Sequence, residues 1–140
     1  MRPINGSTVH TINVLFEWLQ IQLAEQYRLQ VCSDEQFENC LPIIENESLI
    51  RVIKNGIDWN TEYYWRVKPI FPNGSNGEWG IPRSFNTSSP IGNSHTVIID
   101  ESKIQDGITI FGAFFDYYTA AIDQFGNEIW NTGDNHFVYY

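Results

Sequence analysis

The chain has 140 residues, 42% hydrophobic, 15% aromatic and only 18% charged, which is enough for one full domain or for one domain and part of a second. Its net charge of −9 gives a surface that repels phosphate backbones and anionic lipid, which argues against nucleic acid as a partner. The eight Lys and Arg are scattered, and no apolar run reaches the roughly 18 residues of a spanning helix, so membrane insertion is not expected. Aromatic abundance with a single Met leans toward an all-β chain.

The opening MRPINGSTVH lacks the apolar centre of a signal peptide. The chain is therefore either cytoplasmic or a piece of a longer exported protein, and the reading developed below favours the second. Strand-like alternation follows. In INVLFEWLQ, Val14, Phe16 and Trp18 share a face with Leu15, Glu17 and Leu19 opposite. In EQYRLQVCS, Tyr27, Leu29 and Val31 share a face while Arg28 and Gln30 point away. Cys32 and Cys40 are too few for a metal site; their spacing suits either a disulfide across a tight connection or two small buried thiols. SLIRVI offers a short strand over residues 49–53, and EYYWRVKPI sets Tyr63, Trp65 and Val67 against Tyr64, Arg66 and Lys68. A cation–π contact between Tyr64 and its cationic neighbours is expected on that second face. RSFNT closes the series through Phe85. Asn-Gly and Pro-Asn-Gly signals separate these runs at intervals of about 8–12 residues, the pattern of a β-sandwich.

The character changes after Thr87. SSPIGNSH is a small-residue linker. Beyond it TVIID, GITIFGAF, YTAAID, NEIW and HFVYY read as a four- or five-stranded antiparallel meander, with the clearest hairpin at residues 123–127. The expected organisation is a sandwich over 1–88, a linker over 89–95 and a meander over 96–140.

Candidate chemistry is sparse. His10, His95 and His136 are widely spaced, and no nucleophile, phosphate-loop or zinc motif accompanies them. Asp100, Glu101, Asp106, Asp123 and Asp134 lack calcium-loop spacing and read as solvated turns. Neither a catalytic role nor a cofactor is expected. The candidate interaction residues are aromatic: Trp59 and Trp79 in loops, Tyr64 on the outer strand face, and Phe114, Phe115, Tyr117 and Tyr118 in the meander.

Residues 3–87 resemble a fibronectin type III domain. PINGSTV is similar to the opening strand, Trp18 in FEW to the buried second-strand tryptophan, and Tyr27 to the third-strand aromatic. IDWNTEYYWRV resembles the family's apolar anchor, Ile57, six residues before its corner tyrosine, Tyr63, with Trp65 in the core behind it. The resemblance implies an immunoglobulin-like sandwich in which the Tyr63 hydroxyl bonds to nearby backbone.

Residues 99–140 are similar to the first blade of bacterial arylsulfotransferase-type β-propellers, through YTAAIDQFGNEIW. That resemblance implies a turn shaped by Asp123 and Gly126, Trp130 packed between sheets, and an extracellular or periplasmic parent whose catalytic residues lie in later blades. A lone blade leaves faces and an edge uncovered, so the expected partner is protein: a downstream domain, or other subunits in a homo-oligomer. The reading is a non-catalytic structural or interaction module. The alternatives are a self-assembling surface subunit that pairs through strand edges, and the substrate-presenting part of a sulfotransferase active only at full length.

Overall fold

The structure, a computed structural model, describes residues 1–92, 97–112 and 119–133. Phe114, Phe115, Tyr117, Tyr118, His95, His136, Asp134 and the HFVYY run lie outside them. Among the described residues the chain is all-β, with one 3-10 turn at Glu101–Lys103 and no α-helix.

Seven strands build the first part: β1 (Ser7–Val9), β2 (Val14–Glu17), β3 (Gln26–Cys32), β4 (Ile44–Asn46), β5 (Ile50–Ile53), β6 (Glu62–Ile70) and β7 (Arg83–Thr87). Five form a mixed sheet in the order β1-β7-β6-β3-β4, and β2 pairs with β5 in a second sheet. β1 runs parallel to β7, with Ser7 opposite Phe85. The chain reaches it by crossing between sheets: Arg2 bridges Glu17 on β2, and the Asn5-Gly6 turn then docks on Ser84.

Period-two alternation explains the packing. Phe16 on β2 meets Trp65 on β6 edge-on with ring centroids 5.4 Å apart, and Phe85 on β7 at 5.8 Å. Tyr63 stacks on Phe85, and Trp18 meets Tyr27. These rings, with Val14, Leu29, Val31, Ile53 and Ile57, make one buried cluster between the two sheets. Buried at roughly 25 cal/mol per Å² of apolar surface, such a cluster dominates the stability of the sandwich.

The second part is a meander of β8 (Ile108–Gly112), β9 (Thr119–Asp123) and β10 (Glu128–Asn131), in the order β10-β9-β8. Two expectations need correction here. Residues 97–100, the described part of TVIID, form no strand; they lead into the 3-10 turn, where Asp100 caps the Ser102 N–H. Trp130 does not pack between sheets: it is 36% exposed. It shares a face with Ala121 and Ile110, and Ile110 also faces solvent.

Candidate functional site

Two places gather the interaction candidates: the seam between sandwich and meander, and the outer face of the five-stranded sheet.

At the seam, residues 10–12 act as a fourth strand beside β10. The Ile12 N–H donates to the Ile129 carbonyl at 3.0 Å, and the Asn131 N–H donates to the His10 carbonyl at 2.9 Å. Thr11 adds its hydroxyl to Ile129 O at 2.9 Å. Trp59 lies in the loop before β6, and its indole N–H donates to the Glu128 carbonyl at 3.0 Å. Glu128 is only 7% exposed, and its carboxylate holds the linker. Oε1 accepts from the Ile91 N–H at 3.0 Å and from Asn131 Nδ2 at 2.7 Å, while Oε2 accepts from the Gly92 N–H at 2.7 Å. Asn131, buried beside it, also donates to Ser89 O at 3.1 Å. A buried carboxylate taking three N–H donors fixes chain direction as well as contact. Residues 89–92 are thus bound into the seam along their backbone. Gly133 fits this place through its bare backbone: φ is +62, and a Cβ there would fall 2.5 Å from His10 Cε1.

The corner after β5 is built the same way. Ile57 and Tyr63 are buried, and the Tyr63 hydroxyl accepts the Asp58 N–H at 2.9 Å. Thr87 closes the corner from β7, its hydroxyl donating to Asp58 O at 2.7 Å and accepting the Thr61 N–H at 3.0 Å. The Tyr27 hydroxyl similarly accepts the Ile21 N–H at 3.0 Å.

On the outer face, the cations do not stack on Tyr64. Arg66 lies over Phe37 at 3.9 Å from the ring centroid and over Trp79 at 4.6 Å, and Lys68 lies over Trp79 at 4.7 Å. Trp79 therefore folds onto the sheet and covers two cationic stems, while Gln30 accepts the Arg66 Nε–H at 2.9 Å. Burial in this stack lowers the pKa of the Arg66 guanidinium. Tyr64 pairs in register with Cys32 and Ser84; a hydrogen bond to Glu62, helped by partial desolvation and by the charges of Glu62 and Glu35, raises its phenol pKa. Phe37 is the member that sequence reasoning missed: it lies between the two cysteines rather than in a strand, in a loop that the Cys32–Cys40 disulfide and the backbone bonds Ser33 N–H to Asn39 O and Leu41 N–H to Val31 O close. The disulfide is consistent with an oxidising, extracytoplasmic location.

Two of the carboxylates considered for calcium, Asp123 and Asp100, have internal tasks. Asp123 Oδ1 accepts the Phe125 and Asn127 N–H groups, each at 2.9 Å, and Oδ2 accepts Asn127 Nδ2. Burial alone would raise the Asp123 pKa, but these donors outweigh it and hold it below the ordinary carboxylate value. Asp100 pairs with Lys103 and caps its own turn. No group of three His, Cys, Asp or Glu poised for a metal occurs among the described residues.

No protein-family model and no curated protein sequence matches the chain. Among solved structures, it is similar to part of an α-L-rhamnosidase from Dictyoglumus thermophilum, with 12% identity and a TM-score of 0.48. That likeness covers 85% of this chain and 15% of the enzyme's. At the level of class, the molecule is a β-rich sandwich that carries a small antiparallel meander.

Proposed function

We propose that the chain is a non-catalytic positioning and interaction module of an extracytoplasmic bacterial protein, with a fibronectin type III-like sandwich presenting the first elements of an arylsulfotransferase-like propeller. The observation that carries this reading is the Glu128 clamp. A flexible tether would leave residues 89–92 solvated, whereas here their backbone donates into a buried carboxylate of β10. The two-plus-five division of strands and the Tyr63 corner bond support the family reading of the sandwich.

Native-state hydrogen exchange tests the positioning role. Amides of β9 and β10 are expected to be protected together with those of residues 10–12; a meander that exchanges like free peptide beside a protected sandwich overturns it. Turnover of an aryl sulfate by the purified 140-residue chain would overturn the non-catalytic assignment.

A second reading, self-assembly, draws on β8. Among the described residues it ends its sheet, and Ile108 and Ile110 are 60% and 69% exposed on one face, a combination that invites strand addition by another copy. Light scattering separates the two readings: concentration-dependent polymers favour assembly, and a monodisperse monomer sinks it.

A further inference from the structure

Two strand edges lie open on one flank of the sandwich. Among the described residues, β4 ends the five-stranded sheet and pairs only with β3, and β5 pairs only with β2. Between them is a cleft of about 500 Å³ with Leu41, Ile44, Val52 and Ile53 on its walls and Arg51 and Lys54 at its rim. Its floor belongs to the core: Ile44 registers with the buried Leu29, and Leu41 lies so close to Gly56 that a Cβ there would stand 2.7 Å from Leu41 Cδ2.

The position of Arg51 is unusual. It registers with Phe16, which has no exposed surface, so Arg51 occupies the strand face turned toward the other sheet. It is nonetheless exposed, because β4 is only three residues long and leaves this part of the inner face uncovered. Among the described residues, the ion pairs are Arg2–Glu17, Arg28–Glu45 and Lys103–Asp100. Neither Arg51 nor Lys54 has an acidic partner there. In a chain with 17 acidic and 8 basic residues, two unneutralised cations therefore flank one apolar cleft between two unpaired strand edges.

An inward charge on an edge strand blocks pairing with an identical edge, which disfavours a second copy as the occupant. The same charge attracts a strand that carries carboxylates. We infer that this cleft receives an extended acidic peptide segment in which apolar side chains alternate with Asp or Glu. Its backbone adds to the open edge of β4 or β5. Its apolar residues enter between Leu41, Ile44 and Ile53, and its carboxylates meet Arg51 and Lys54. This deepens the interaction-module reading and rests on it, but not on the propeller parentage.

The probe is a blocked, fluorescein-labelled peptide of sequence Val-Glu-Val-Glu-Val-Glu, with a Val-Lys counterpart as control. Saturable binding is expected for the first only, weakening as salt rises, with amide shifts confined to Ile44–Asn46 and residues 50–55. R51E/K54E should weaken binding at least tenfold, and K54E alone should weaken it less, while the amide spectrum of β6 and β7 stays unchanged. Any of four results overturns the proposal: no saturable binding, equal affinity for the double variant, shifts that map elsewhere, or a native dimer closed through β5. Because the seam is read separately by exchange at β9 and β10, failure here and failure of the positioning role are distinguishable.

Discussion

The sandwich and the meander reach order by different chemistry. Between the two sheets the buried residues are large rings and aliphatics: Phe16, Trp18, Tyr27, Tyr63, Trp65 and Phe85, none more than 4% exposed. Among the described residues of the meander the buried apolar ones are Ala120, Ala121 and Ile129, and the polar Glu128, Asn131 and Thr132 are buried beside them. Ordering strands costs conformational entropy, and the two alanines contribute little apolar surface against it. Hydrogen bonds to a preformed surface reduce that cost by joining β10 to residues 10–12 and 89–92. Among the described residues, apolar packing thus holds the sandwich, whereas the meander is tied to it by polar contacts. Loss of the sandwich should therefore take the meander with it, and the reverse should not hold.

Trp65→Ala breaks the comparison most strongly. Trp65 is 2% exposed and packs against Phe16, so truncation should cost about 3–5 kcal/mol. Denaturant unfolding should show one transition at a lower midpoint, with β9 and β10 amides losing protection in the same step. Meander protection that survives at denaturant concentrations where the sandwich has unfolded would contradict the dependence.

The disulfide comes next. Cys32 and Cys40 are separated by 8 positions, and removing a loop closure of that size should cost about 2–3 kcal/mol. In Cys32→Ser/Cys40→Ser, Phe37 should also leave Arg66, read as loss of ring-current shifts at the arginine side chain. A pair of thiols that alkylates fully without reductant in the native protein would show that the bond is not formed.

Glu128→Ala sharpens the comparison rather than breaking it. It leaves the Ile91 and Gly92 N–H groups without their carboxylate, at about 2 kcal/mol. The effect should stay local: exchange in β9 and β10 accelerates roughly 30-fold, while the unfolding midpoint of the sandwich hardly moves. A matched fall in both would mean that the seam supports the sandwich too.

What could be read from the sequence follows the same division. Strands β2, β3 and β6 were legible because each carries large apolar residues at period two, and the faces of Phe16, Leu29 and Trp65 followed directly; β5 and β7 were legible as short runs, SLIRVI and RSFNT, set off by turn signals. β4 was not, because Ile44-Glu45-Asn46 is too short to show a period. The contribution of residues 10–12 was equally hidden: His10, Thr11 and Ile12 carry no strand pattern, and their pairing with β10 depends on a contact across more than a hundred residues. The outer-face stack was half legible. Arg66 and Lys68 marked the face, but their aromatic partners come from loops, and adjacency within the strand pointed to Tyr64 instead. Trp130 misled for a related reason: a hairpin pattern gives a side chain's alternation without saying which face is covered.

The smallest expected effect lies at the meander's own turn. The folded Asp123 pKa is held below its ordinary value, so its contribution is present above the unfolded-state pKa and is lost as pH falls through the folded one. Lowering the pH from about 5 to about 2 should therefore loosen the 123–127 hairpin. Asp123→Asn keeps an acceptor oxygen but removes the titration. Its cost at neutral pH should be about 0.5 kcal/mol or less, since solvent screens so exposed a turn. In this variant the Asn127 amide should exchange with no acid-dependent loosening beyond the chemical pH dependence of exchange itself. Persistence of the loosening in Asp123→Asn would place its origin in another carboxylate.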